Sequence, residues 1–88
     1  MAIFVVNHKV NDFGAWKKVY DNHGSIRDKY KVTGKFVLKS IDDPNNVTVI
    51  GEGEPGDIQN FLNSDDLKNA MQGAGVVSTP VIFVGANS

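Results

Sequence analysis

The 88-residue chain has no cysteine, a single tryptophan, two histidines and three prolines. Without thiols, disulfide cross-links and thiolate nucleophiles are both excluded, which fits a cytosolic setting. A formal charge of −1 leaves no basic excess with which to neutralise a nucleic-acid backbone or an anionic membrane. Long hydrophobic runs are missing too. The opening "AIFVV" is five residues with no positive region before it, short of a signal peptide's hydrophobic segment and of the roughly 20 residues that span a bilayer. It is expected to be a first β-strand. The histidines show no His-x-x-x-His or His-x-His spacing, so no metal site is expected. "GEGEPG" carries Pro55 and acidic residues that repel phosphate, so it reads as a turn and not as a phosphate loop. No Gly-x-Ser-x-Gly pattern suggests a hydrolase, and no motif calls for a cofactor.

What is present describes one domain over residues 1–88. With 41% hydrophobic and 22% charged residues, the composition is that of an ordinary globular protein, and the chain is too short to divide into two cores. "AIFVVNHKV" reads as a strand. Residues 12–30 form a long helix, capped by Asn11 or Asp12. "KVTGKFVLKSI" holds a turn at Gly34 and then a strand with Phe36 and Leu38 on one face, Val37 and Lys39 on the other. "DDPNN" is a tight turn, "VTVIGEG" the third strand and hairpin partner of the second. "DIQNFLNSDDLKNAMQGAG" is a second helical region that Ser64 can recap, with Gly75 as a left-handed stop. "VSTPVIFVGA" is the last strand, with Pro80 near its start.

The order β-α-β-β-α-β predicts an α+β, ferredoxin-like fold: a four-stranded antiparallel sheet with helices on one face. "AIFVV" and "VIFV" lack polar alternation, the mark of strands covered on both faces. Helices can cover only one, so a second copy is expected to cover the other, giving a homodimer that packs sheet against sheet. That exposed face lacks the aromatics and basic rim of an RNA-binding sheet.

At about 100° per residue, Phe13, Trp16, Val19, Tyr20, His23, Ile26, Arg27 and Tyr30 fall within one arc of the long helix. A titratable ring and a permanent cation, one turn apart, therefore lie in the stripe that should face the core. Three readings follow. Arg27 snorkels to water while His23 bonds a backbone carbonyl. Alternatively, Arg27 pairs with a carboxylate such as Glu52. In the third, His23 and Arg27 line a cavity that receives a small ligand. His8 ends the apolar run of the first strand; if Phe4, Val6 and His8 face the helices, it converges on the same place, and otherwise it meets the dimer interface.

"VNHKVNDFGAWKKVYDNHGSIR" and "SDDLKNAMQGAGV" resemble segments of small proteins in the dimeric α/β-barrel superfamily, alongside the antibiotic-biosynthesis-monooxygenase type and related cyclase-like families. The resemblance implies a dimer and a ligand space between helices and sheet. Its members include cofactor-independent oxygenases, isomerases or dehydratases, and haem-handling proteins. By matching position it implies His8, Trp16, His23 and Arg27 as pocket lining. As an enzyme, the chain would use His23 as general acid/base and Arg27 to hold a developing oxyanion, with Trp16 and Tyr20 as flat walls for a small apolar or aromatic ligand. The alternative is a non-catalytic dimeric binding or stress-related module.

Overall fold

The computed structural model describes residues 1–86. Strand β1 (Ala2–Lys9) leads into helices α1 (Phe13–Asn22) and α2 (Gly24–Lys29); strands β2 (Thr33–Lys39) and β3 (Asn46–Gly53) follow, then α3 (Pro55–Leu62), α4 (Asp65–Gly73) and β4 (Val81–Ala86). The four strands are antiparallel in the order β2-β3-β1-β4. This is the expected ferredoxin-like sheet, with each helical region divided in two. Among the described residues no helix is long and apolar enough to cross a membrane.

Alternation sets the two faces of the sheet. Ala2, Phe4, Val6 and His8 of β1 are buried beneath the helices, as are Val47 and Val49 of β3. His8 therefore faces the helices, opposite Val47. The core has two halves. Phe4, Val32, Ile58 and Phe61 form one, against which Ile26, Tyr30 and Met71 pack; Val10, Trp16, Val47, Val49 and Ala74 form the other, joined by Phe13, Val19 and Tyr20. Phe4, Ile58 and Val47 are fully buried, each contributing about 1.5–3 kcal/mol relative to exposure.

Caps delimit the helices as their residues suggest. The Asp12 carboxylate accepts from the Ala15 N–H at 2.8 Å. Ser64 Oγ accepts from Leu67 N–H at 3.1 Å and donates to the Phe61 carbonyl at 2.7 Å, which ends α3 and starts α4. Gly75, at φ +80, makes the left-handed stop.

Three local expectations are corrected. Residues 12–30 do not form one helix; the chain breaks at His23. The turn before β2 falls at Lys31, the residue with φ 60, while Gly34 lies inside the strand opposite Gly51. A side chain at Gly34 would meet the Tyr20 hydroxyl head-on, so this glycine leaves room for a helix residue. The last strand begins at Val81, because residues 76–80 are tied to the end of β1 in another way: Val77 N–H donates to the Lys9 carbonyl and Lys9 N–H to Ser78 Oγ.

The far face of the sheet carries Ile3, Val5 and Ile50 with Phe36, Leu38, Val81 and Phe83. Phe36 is 60%, Val81 68% and Phe83 66% exposed, so this face carries two exposed aromatic rings where none was expected. The apolar run of β4 is thus uncovered in the single chain, including Ile82 on the helix side at 46%, because the helices pack mainly over the other three strands.

Gly51 is the tightest point of this packing. A Cβ there would run into the Phe4 ring and lie 2.7 Å from the Thr33 carbonyl oxygen, whereas one at Gly56, in the first turn of α3, would meet nothing within 4 Å. Gly51→Ala is therefore expected to cost about 1–3 kcal/mol by overpacking. Gly56→Ala is expected to be neutral or to stabilise by up to about 1 kcal/mol. Urea-denaturation midpoints of the two variants check the contrast, and equal midpoints would contradict it.

Candidate functional site

The first helical region breaks at His23 because its side chain takes the place of its own backbone. In a continuous helix the His23 N–H would donate to the Val19 carbonyl. Here His23 Nδ1 sits 2.6 Å from that oxygen, and the backbone N–H turns to the Tyr20 carbonyl at 3.2 Å. A carbonyl only accepts, so Nδ1 carries a proton, and in the neutral ring it is Nε2 that keeps the lone pair. The Tyr20 carbonyl also accepts from Arg27 Nη1 at 2.9 Å. Two side chains thus satisfy carbonyls that a helix end would otherwise leave orphaned.

Arg27 does not pair with Glu52. In the alternating register Gly51 and Gly53 face the helices and Glu52 the far side, where its carboxylate meets Lys35 at 3.0 Å. Instead the Arg27 guanidinium lies 4.0 Å from the centre of the Tyr20 ring, a cation–π arrangement. Tyr20 stacks on Trp16 at 5.2 Å, and Trp16 meets His8 edge-on at 5.6 Å. His8, Trp16, Tyr20 and Arg27 thus form one ordered wall.

His8 is the anomaly in that wall. It is 3% exposed, and neither ring nitrogen has a hydrogen-bond partner among the described residues. Leaving a buried polar group unmet costs about 1–3 kcal/mol. Burial without a compensating charge holds the imidazole below its ordinary value of 6.5, so it is neutral at pH 7.

All five expected residues (His8, Trp16, Tyr20, His23 and Arg27) line one apolar cavity of about 80 Å³ between helices and sheet. That is smaller than the roughly 150 Å³ void that takes up benzene. Much of the remaining lining comes from residues with no chemical signature in the sequence: Val49, Phe61, Leu67, Ala70, Met71 and Ala74. Apolar side chains of this kind are legible only as core. Val19, His23, Ile26 and Ala70 also border a shallow depression outside, so His23 stands between interior and surface. Among the described residues no three His, Cys, Asp or Glu side chains gather to hold a metal.

Helix pairs over an antiparallel sheet in the order β2-β3-β1-β4 define a ferredoxin-like fold, and solved structures match it closely. A Nitrosomonas europaea protein provisionally named an antibiotic biosynthesis monooxygenase superposes with TM-score 0.74 over 99% of this chain and 98% of its own, at 14% identity. A Caulobacter crescentus protein of the same provisional name gives 0.75 over 99% and 89%, also at 14% identity. A variant of SnoaB, a cofactor-independent oxygenase from Streptomyces nogalater, gives 0.71 over 99% and 94%, at 13% identity. Identities this low establish a common fold and nothing finer. The chain belongs to the family described as domain of unknown function DUF3764, whose model matches residues 1–82. No functionally curated protein matches it.

The buried imidazole makes stability depend on pH. Because burial lowers its value in the folded chain, the unfolded chain binds the proton more readily. Its contribution is complete above about pH 6.5 and is lost as pH falls from there through the folded-state value. The wild type is expected to lose stability relative to His8→Leu between pH 7 and 5, measured by urea denaturation. A wild-type-minus-variant difference that does not change with pH would contradict the assignment.

Proposed function

We propose that the protein is a homodimer that binds a compact small molecule in the cavity between helices and sheet. There it performs base-assisted chemistry of the kind used by cofactor-independent oxygenases and isomerase- or cyclase-like enzymes. The observation that carries this reading is the convergence of an oriented imidazole and a fixed cation on one apolar cavity. His23, held through Nδ1, offers Nε2 as the base toward an acidic C–H or O–H of the ligand. The remaining N–H groups of Arg27 stabilise the oxyanion left behind. Trp16 and Tyr20 supply flat walls. A compact carbonyl compound suits the cavity at its present size, and a larger ring is accommodated by widening at the seam where Val19, His23, Ile26 and Ala70 border both cavity and surface. The fold shared with SnoaB supports the oxygenase branch.

One observation favours a second reading, a non-catalytic binding module. The group behind His23 is a backbone carbonyl rather than a carboxylate, and Arg27 already caps the helix, so both residues have structural tasks that require no chemistry.

The far face of the sheet supports the dimer. Its polar side chains are paired among themselves: Asn7 Nδ2 donates to Asn46 Oδ1 at 2.8 Å and to Thr48 Oγ1 at 2.9 Å, and Lys35 neutralises Glu52. This pairing lowers the cost of covering them, while Phe36, Leu38, Val81 and Phe83 gain from burial. A second copy presents the same flat, apolar and charge-poor sheet, and two such faces pack about 10 Å apart. Cytoplasmic residence accords with the cysteine-free composition.

Two measurements test these proposals. Proton–deuterium exchange alpha to the carbonyl, followed by NMR across a panel of small ketones, is expected to be accelerated by the wild type. His23→Gln is expected to slow it about 10²-fold or more; a variant as active as the wild type would remove the base. Light scattering is expected to give a dimer at micromolar concentration and a monomer for Phe83→Asp. A monomeric wild type would overturn the interface.

A further inference from the structure

Besides Trp16, four polar side chains line the cavity, and His8 alone among them has buried polar atoms with no hydrogen-bond partner among the described residues. His23 is held by the Val19 carbonyl and Arg27 by the Tyr20 carbonyl, while the Tyr20 hydroxyl reaches over Gly34. His8 is at once the most buried of the four and the one whose ring nitrogens meet no protein donor or acceptor. Its position is distinct as well. The wall runs from His8 through Trp16 and Tyr20 to Arg27, so the imidazole and the guanidinium occupy opposite ends.

We propose that His8 is the anchor for an uncharged polar group of the ligand (a carbonyl, amide or hydroxyl) at the end of the cavity remote from Arg27, so that this end selects neutral ligands over carboxylates. The inference rests on the reading of the cavity as a ligand site. A neutral imidazole offers a donor at one nitrogen and an acceptor at the other, and the choice of tautomer lets it meet either kind of neutral partner. A carboxylate at the same point is disfavoured. It would have to surrender its hydration inside an apolar space with no cation beside it, or else force a second charge onto a buried ring. The two ends therefore discriminate separately: His8 meets a neutral group, and Arg27 an oxygen that gains negative charge.

Acetamide, acetone and acetate have the same number of heavy atoms and differ in hydrogen bonding and charge, which makes them suitable probes. Titrated into ¹⁵N-labelled protein at pH 7, acetamide and acetone are expected to shift the His8 ring and Trp16 indole resonances saturably. Acetate is expected to bind there at least about ten-fold more weakly. His8→Leu should weaken acetamide by about five-fold or more while still taking up xenon, a probe of the apolar space itself. His8→Gln, which keeps a neutral donor and acceptor, should retain acetamide. Acetate binding at His8 as well as acetamide would overturn the proposal. So would acetamide binding unchanged in His8→Leu, or a wild-type cavity that takes xenon but neither neutral probe. A wild type that admits none of these, xenon included, would overturn the ligand-site reading itself. Should His8→Leu fail to fold, the wild-type ring shifts and the His8→Gln titration decide between these outcomes.

Discussion

The end of α1 depends on a substitution of one hydrogen-bond donor for another. His23 Nδ1 takes the Val19 carbonyl that its own backbone N–H would occupy in an uninterrupted helix, and the displaced N–H and Arg27 share the next carbonyl along. Without these bonds two carbonyls in a partly buried bend would be unmet, and the helix would either fray or run straight. The bend decides the rest of the layer. It leaves α1 to pack Trp16, Val19 and Tyr20 against one half of the core, and α2 to bring Ile26 to the other. The cavity lies where the halves meet.

The same bonds that terminate the helix also aim the two side chains. A hydrogen bond at Nδ1 selects the tautomer with a free lone pair at Nε2, and stacking on Tyr20 holds the guanidinium plane. The structural task and the proposed chemical role therefore coincide in His23 and Arg27, so loss of either perturbs fold and cavity together. His8 differs. Its burial adds nothing to packing that a leucine would not, and it costs the unmet hydrogen bonds of an imidazole. A residue that breaks a packing rule without local compensation is where function is expected to have shaped the sequence.

The sheet presents the complementary case on its far face. There the apolar residues are uncovered, whereas the polar ones, Asn7, Thr48, Glu52 and Lys35, are already paired with each other or with their neighbours. A surface with its polar groups satisfied in advance and its apolar groups exposed is suited to burial against a like surface.

The Ile-, Phe- and Val-rich runs "AIFVV" and "VTVIGEG", the capping residues Asp12 and Ser64 and the stop at Gly75 determined the element order and the α+β fold, because those signals are local: strand propensity, cap and left-handed turn each act within a few residues. The helical period likewise placed His23 and Arg27 on the inward arc. Only the tertiary structure decided that the helix breaks at His23, that Glu52 points away from Arg27, and that Gly34 lies in a strand beneath Tyr20. It also brought the ring of His8 beside Trp16. Each of these depends on which groups far apart in the chain compete for one carbonyl, one face or one gap, and the sequence pattern does not carry that competition.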